Sequence, residues 1–342
     1  MFLRNEWYVV ALGTELNTQP IQRWVLGEPL ALFRTQSGKP VALVDRCPHR
    51  GAPLSMGQVH GETIACGYHG FTFDAAGQCV DIPGSDFISP KACVKSHPVI
   101  ERWGWVFAWM GEATLANEAW LPDFSWMDKV GWVGRAEYLL VNANHALVRD
   151  NLLDLTHARF VHQKTLGTAA VTQFPIESQV TDRRVRVLRD MKNIEPSPFF
   201  KTMAGFDARV DHRQQIDFYP PSYVLINTRV SGHRSNGTSD AAEFYVLNAL
   251  TPMNERSTHY FWGLVRNFSI DDPAVTELQQ KLNRETFFED VDILSQQQIM
   301  LDSAPPGWVP VSVSNDGGCV QADRMFKKLH AQEQIKTNSL PH

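Results

Sequence analysis

Up to about residue 115 the apolar positions fall in short β-type runs: Ala31-Leu-Phe33, Pro40-Val-Ala-Leu-Val44, Thr63-Ile-Ala65, Gly77-Gln-Cys-Val80 and Trp103-Gly-Trp-Val-Phe-Ala-Trp109. Turn residues separate them, which predicts an all-β domain over residues 1–115 and a second domain over 116–342. Between the two, residues 112–130 mix Pro122, Asp123 and several tryptophans without a period, so they are expected to be a connecting segment packed on the surface. A helix is predicted from Asn144 to Phe160. Four strands follow, at Arg184–Leu188, Ser222–Val230, Glu243–Leu250 and His259–Val265, whose β-branched and aromatic alternation fits an antiparallel sheet. Thr251–Arg256 reads as a hairpin loop and the small polar stretch Ser231–Asp240 as a mobile surface loop. A long helix opens after Ile270, capped by Asp271 or Asp272 with Pro273 in its first turn, and runs to about Leu301. Pro305-Pro306-Gly307 breaks the chain before a terminal helix from Ala322 to Gln332, and no internal repeat is visible. The fold class is therefore α+β.

The chain of 342 residues is comfortable for two domains. A net charge of −5, with Lys and Arg scattered, disfavours nucleic acid and anionic membranes as partners. Met1–Val10 has no basic start followed by a long apolar run, and charged residues interrupt every apolar run short of about 18 residues, so a soluble, cytoplasmic protein is expected. Five cysteines, an odd number, suit metal ligation and buried thiols better than a disulfide framework.

The chemistry concentrates in Asn151-Leu-Leu-Asp154-Leu-Thr-His157-Ala-Arg-Phe-Val-His162. Two imidazoles and a carboxylate from elsewhere form the facial triad of non-haem Fe(II) oxygenases. On a helix Asp154 shares a face with His157 and can accept a hydrogen bond from its imidazole. His157 and His162, five residues apart, point about 140° away from each other on an ideal helix. They meet only if the helix widens by a π-type turn or ends between them. The alternative is a buried helix with structural histidines, which is the reading taken for His145. A missing acid is found at Asp290, whose three- and four-residue neighbours Phe287, Ile293 and Leu294 are apolar, whereas Asp292 has the polar Glu289, Ser295 and Gln296. A carboxylate on an apolar face needs a metal or a donor. Earlier in the chain, Cys47-Pro-His49 and Cys66-Gly-Tyr-His69 each offer one thiolate and one imidazole. Cys2His2 can hold zinc, but zinc fingers group their cysteines and histidines apart, while one pair per loop suits a [2Fe-2S] cluster with thiolates on one iron and imidazoles on the other. Cys79 and Cys93 are expected to be buried apolar residues, His60 a surface residue, and Cys319 has no evident ligand partners.

Cys47-Pro-His-Arg-Gly-Ala-Pro-Leu-Ser55 and Cys66-Gly-Tyr-His-Gly70 resemble the cluster loops of Rieske domains, and the missing third cysteine resembles the ferredoxin and oxygenase branch. Asp154-x2-His157-x4-His162 with Glu289-Asp290 extends the resemblance to the catalytic α subunit of Rieske non-haem iron oxygenases. The opening Phe2–Val9, Asn151–His157 and Tyr260–Phe268 are most like the vanillate O-demethylase and dicamba monooxygenase group. This resemblance implies a Rieske domain followed by a helix-grip catalytic domain, in a homotrimer. It implies a [2Fe-2S] cluster at Cys47, His49, Cys66 and His69, and mononuclear Fe(II) at His157, His162 and Asp290. Dioxygen would be the co-substrate, and a separate flavin and iron–sulfur reductase would supply electrons from NADH or NADPH. Asp154 would bridge His157 to His69 of a neighbouring subunit, and Asn151 would either lie near the iron or serve the helix structurally. Candidate pocket residues are Asn227, Arg229 and Asn248, with Arg229 or another cation suited to an anionic group. The implied reaction is O-demethylation of a methoxybenzoate such as vanillate, with release of formaldehyde. Hydroxylation of another anionic aromatic such as an aryl sulfonate, or ring dihydroxylation, would use the same metals. In a different class, a Rieske electron carrier fused to a ligand-binding domain would carry the cluster without the mononuclear iron.

Overall fold

Residues 29–33 form an unbroken apolar run, and the reason is that the strand holding them is covered on both faces. In the computed structural model, which describes residues 1–163, 166, 169–233 and 241–338, the chain forms two compact units: Met1–Leu121 with Thr251–Asn254, and Pro122–Leu250 with Glu255–His342. The first unit holds β1 (Trp7–Leu12), β2 (Ile21–Val25), β3 (Glu28–Arg34), β4 (Pro40–Val44), β5 (Gln58–His60), β6 (Thr63–Ala65), β7 (Thr72–Asp74), β8 (Cys79–Asp81), β9 (Ser96–His97), β10 (Val99–Arg102) and β11 (Trp105–Trp109). They make three antiparallel sheets, ordered β1-β11-β10, β2-β3-β4-β9 and β5-β6-β7-β8. On β3, Leu30 and Leu32 pack with Tyr8, Val106 and Ala108, while Ala31 and Phe33 pack on the other side with Ile64, Phe73, Cys47 and Cys66. Both faces being buried, alternation gives way to continuous hydrophobicity. Cys79 is half-buried and Cys93 exposed, so neither is the buried apolar residue expected, and His60 lies on the surface.

The second unit is a seven-stranded antiparallel sheet with helices. Its strands are β12 (Val133–Val141), β13 (Glu177–Val180), β14 (Val185–Ile194), β15 (Val210–Tyr219), β16 (Tyr223–Ser231), β17 (Ala242–Asn254) and β18 (Ser257–Arg266), in the order β12-β18-β17-β16-β15-β14-β13. Its helices are α1 (His145–Leu153), α2 (Ala158–Val161), α3 (Pro198–Ala204), α4 (Pro273–Asp302) and α5 (Gly317–Asn338). One face of the sheet carries Val187, Ile216, Val224, Leu250, Tyr260 and Trp262 into a core shared with Phe287 and Leu294 of α4. Asp272 caps α4, accepting the N–H groups of Ala274 and Val275, and Pro273 occupies its first turn, as expected.

Several expectations need correction. In the second unit, sequence reading missed β12, β13 and β15. The first two are edge strands with little full burial, and the third sets polar His212 and Gln214 on its core face, which erases the alternation. The short α3 was also missed. β17 runs on to Asn254, so the hairpin turn shrinks to Glu255-Arg256. The terminal helix starts earlier, at Gly317. Ile293 is 52% exposed and does not share the buried face of Asp290. The connecting segment forms three short 3₁₀ turns, with Phe124 fully buried against Tyr223 and Trp126 stacked on Tyr245. Residues 234–240 of the expected surface loop lie outside the described residues. Among the described residues no helix is long and apolar enough to cross a membrane.

Candidate metal centres

The two Cys-His loops are folded alike. In the first, Cys47 N–H donates to the Ala52 carbonyl and Gly51 N–H to the Cys47 carbonyl; in the second, Cys66 N–H donates to Phe71 and Gly70 N–H to Cys66. Each turn closes four residues after its cysteine on a glycine with φ of 74°, a left-handed backbone that glycine adopts without penalty. The cysteines are buried, at 2% and 3% exposure, while His49 and His69 are exposed with ring centroids 4.6 Å apart. Burial raises the Cys47 thiol pKa, and the neighbouring Cys66 adds to the rise. Two buried sulfurs in mutual contact beneath two adjacent imidazoles fit a Rieske cluster, with thiolates on one iron and imidazoles on the other.

The second centre depends on a helix that stops. The predicted helix from Asn144 to Phe160 ends at Leu153, with Asp154 in an extended conformation. The Asp154 carboxylate takes the N–H groups of Thr156 at 2.6 Å and His157 at 3.2 Å, a local turn that competes with continued helix. His157 then starts the single-turn helix α2 and His162 ends it, with φ −102° and ψ 42°. No π-type turn is involved. The expected bond from the His157 imidazole to the Asp154 side chain is replaced by one to its backbone carbonyl, at 2.6 Å, while the carboxylate stands 3.8 Å away.

From these positions three donor atoms converge. His157 Nε2 and His162 Nε2 are 3.3 Å apart, and Asp290 Oδ1 lies 3.6 Å from the first and 3.2 Å from the second. Facial ligands of an octahedral ion at about 2.1 Å are separated by about 3 Å, so the triangle fits one first-row metal ion. Asn151 donates to Asp290 Oδ1 at 2.9 Å. His162 Nδ1 pairs with Glu289 Oε2 at 2.9 Å, a partner that sequence reading left without a role. Burial opposes a charged His162, yet Asp290 and Glu289 outweigh it and raise its pKa; the same carboxylates favour a cation. Among the described residues, His157, His162 and Asp290 form a grouping suited to a metal ion.

The candidate pocket residues divide. Asn248 is fully buried on the core face, accepting the Tyr260 hydroxyl at 2.8 Å. Burial and the nearby Asp290 hold the Tyr260 phenol well above its usual pKa, so it stays a neutral donor. Asn227 and Arg229 sit on the opposite face, where both meet Glu243 and the Arg229 side chain is 58% exposed. They are not brought to the triad. Alternation accounts for this, since odd-numbered β16 residues face away from Val224, Ile226 and Val230. His145 is buried against Phe326, in line with a structural role, and Cys319 Sγ rests on the Asp150 carbonyl.

Comparison with known proteins agrees with both kinds of cofactor. Residues 6–98 match the Rieske [2Fe-2S] domain and residues 141–332 the vanillate O-demethylase oxygenase C-terminal domain. The iron–sulfur subunit of the toluene-4-sulfonate monooxygenase system of Comamonas testosteroni is 36% identical over 96% of this chain and 97% of its own length. The vanillate O-demethylase oxygenase subunit of Pseudomonas sp. strain HR199 is 33% identical over 98% and 96%. The crystal structure of dicamba monooxygenase bound to 3,6-dichlorosalicylic acid superposes with a TM-score of 0.92 at 33% identity, covering 98% of this chain and 99% of that one. The same enzyme has been solved with non-haem iron and dicamba. With a Rieske cluster and a mononuclear non-haem iron as its cofactors, the chain belongs to the Rieske non-haem iron oxygenases, as the oxygenase component of a monooxygenase system of the vanillate and dicamba O-demethylase group.

Proposed function

We propose that this oxygenase removes the methyl group of a methoxybenzoate such as vanillate. The observation that carries this reading is the match of residues 141–332 to the vanillate O-demethylase oxygenase domain. In the assignment we favour, Cys47, His49, Cys66 and His69 hold the cluster, and His157, His162 and Asp290 hold the iron. When bound, the iron would supply dioxygen activation, with electrons that a separate flavin and iron–sulfur reductase would deliver by way of the cluster. One oxygen atom enters a methyl C–H bond and the other leaves as water, consuming two electrons and two protons. The hemiacetal so formed on the substrate collapses to a phenol and formaldehyde.

The chain's own side chains set the stage for this. Asn151 donates to Asp290 Oδ1, which holds that carboxylate in one orientation. The Asp154 carbonyl fixes the tautomer of His157, leaving its Nε2 bare for the metal. The Asp154 carboxylate is 30% exposed, and His69 is exposed. In a homotrimer Asp154 would therefore receive the partner subunit's His69 and join the two centres. Asn248 and Tyr260 offer a polar pair on the core face to orient an aromatic ring.

A second reading, hydroxylation of the methyl group of an aryl sulfonate, is favoured by the 36% identity to the toluene-4-sulfonate system and needs the same metals. The test is reconstitution with a surrogate reductase, NADH and either vanillate or toluene-4-sulfonate. Formaldehyde formed in step with oxygen uptake on vanillate is the expected result. Coupled uptake and a hydroxymethyl product on the sulfonate alone would replace demethylation by the second reading.

A further inference from the structure

The core face of the sheet carries polar side chains that its own packing leaves unfinished. Across β14, β15 and β16, Arg189 stands opposite Gln214 and Gln214 opposite Thr228, with His212 one core-face position along β15. Arg189 is 1% exposed. A guanidinium has five N–H donors. Here Nη1 reaches the Leu155 carbonyl at 3.2 Å, and Nε meets no acceptor. Asp154 acts on it electrostatically, but among the described residues no carboxylate pairs with it. His212 is 8% exposed, edge-on to Phe200, and its Nε2 has no partner; the buried Oε1 of Gln214 has none either.

A buried cation without a counter-ion is costly, and burial lowers the Arg189 pKa without discharging a guanidinium. Leu155 lies on the segment joining α1 to α2, so the guanidinium sits against the stretch that presents His157. Leu155 is two residues before His157, so an anion held there would lie next to the segment that carries this ligand. We infer that Arg189, flanked by His212 and Gln214, forms the subsite that takes the oxyanion of an aromatic acid substrate, a carboxylate or a sulfonate. This deepens the aromatic-acid reading above and rests on it. The guanidinium fork suits either oxyanion in bidentate fashion. A neutral His212 can add an N–H, and the Gln214 amide can present its NH₂ end by a half turn. The role first sought in Arg229 thus falls to a residue on the opposite face of the sheet.

The experiment measures dissociation constants of the metal-loaded protein for 3-methoxybenzoate, benzenesulfonate and neutral 3-methoxybenzamide, with iron and cluster content checked in each variant. Wild-type protein is expected to prefer the anions by about tenfold or more, and Arg189→Gln to lose that preference while amide binding changes less than about threefold. Arg189→Lys, which keeps the charge without the planar fork, should weaken anion binding about three- to tenfold and carries the test if the glutamine variant does not fold. An unchanged anion-to-amide ratio in whichever variant folds overturns the subsite. So does loss of iron with equal weakening of all three ligands, the signature of a side chain that merely holds Leu155. Whichever of carboxylate and sulfonate loses more affinity identifies the oxyanion served. Arg189-dependent anion binding without formaldehyde release would keep the subsite and end the demethylation reading. Formaldehyde release with no dependence on Arg189 would do the reverse.

Discussion

Glu289 shows how much one carboxylate outside the triad decides. Its bond to His162 Nδ1 fixes which ring nitrogen is bare and turns Nε2 toward Asp290. Outer partners of metal-bound histidines typically contribute 10- to 100-fold in metal affinity. Glu289→Ala should therefore lower iron retention against a ferrous chelator about 10- to 100-fold, while the visible spectrum of the cluster stays unchanged. Equal retention by variant and wild type would show that His162 is oriented by the fold alone. The triad was legible in the sequence because its residue types are rare on apolar faces, as Asp290 is between Phe287 and Leu294. Glu289 was not, since an acid next to an acid on a helix reads as solvated. Arg189 escaped for a related reason. On a strand, an arginine after Val185, Val187 and Leu188 reads as the point where the strand leaves the core, and only the register opposite Gln214 reveals that it points inward.

At the scale of elements the decisive event is the break between α1 and α2. Helical spacing alone separates His157 from His162 by about 140°. The break removes that obstacle because the Asp154 side chain offers Thr156 and His157 a capping turn in place of the next helical bonds. The sequence contained this signal, an Asp two residues before Thr, but helical periodicity on either side masked it. The strands tell the same story: β14 and β16 to β18 were legible from alternation, while β15 was hidden by the polar His212 and Gln214 on its inner face. Asp154 thus has an element-level duty, to which the proposed bridge between centres adds an electronic one, and two substitutions separate them. Asp154→Asn retains an acceptor for the turn, so both metals should stay, yet a chemically reduced cluster should remain reduced when substrate and oxygen are added. Asp154→Ala also removes the cap, worth about 1 kcal/mol, and should lose iron on dialysis as well. Prompt reoxidation and near wild-type turnover in the asparagine variant would exclude Asp154 as the link between centres.

For the whole molecule, the two units bury their titratable groups differently, and acid should unfold them in different windows. In the second unit, burial lowers His212 and His145 from 6.5 to about 3, aided by the charges of Arg189 and Arg149. A histidine depressed in the folded state stabilises fully above its unfolded pKa and loses that contribution as pH falls toward the folded value. Between pH 6.5 and 5 the loss is about 2 kcal/mol for each histidine, a large share of a typical domain stability of about 5–15 kcal/mol. In the first unit Glu28 is lowered from 4.5 to about 2, chiefly by its bond to His97 with burial opposing, so its contribution holds above pH 4.5 and is lost only as pH falls toward 2. Partial exposure limits that term to about 1–2 kcal/mol. Denaturant titrations from pH 7.5 to 4 should therefore show the second unit weakening first, reported by loss of its iron, while the cluster absorbance of the first unit persists. His212→Gln isolates the cause, because it removes one titrating group whatever its effect on stability at neutral pH. Its stability relative to wild type should rise by about 2 kcal/mol between pH 6.5 and 5. Parallel curves for variant and wild type across that interval would mean that His212 does not titrate between the folded and unfolded states, and the acid lability of the second unit would then rest on His145 alone.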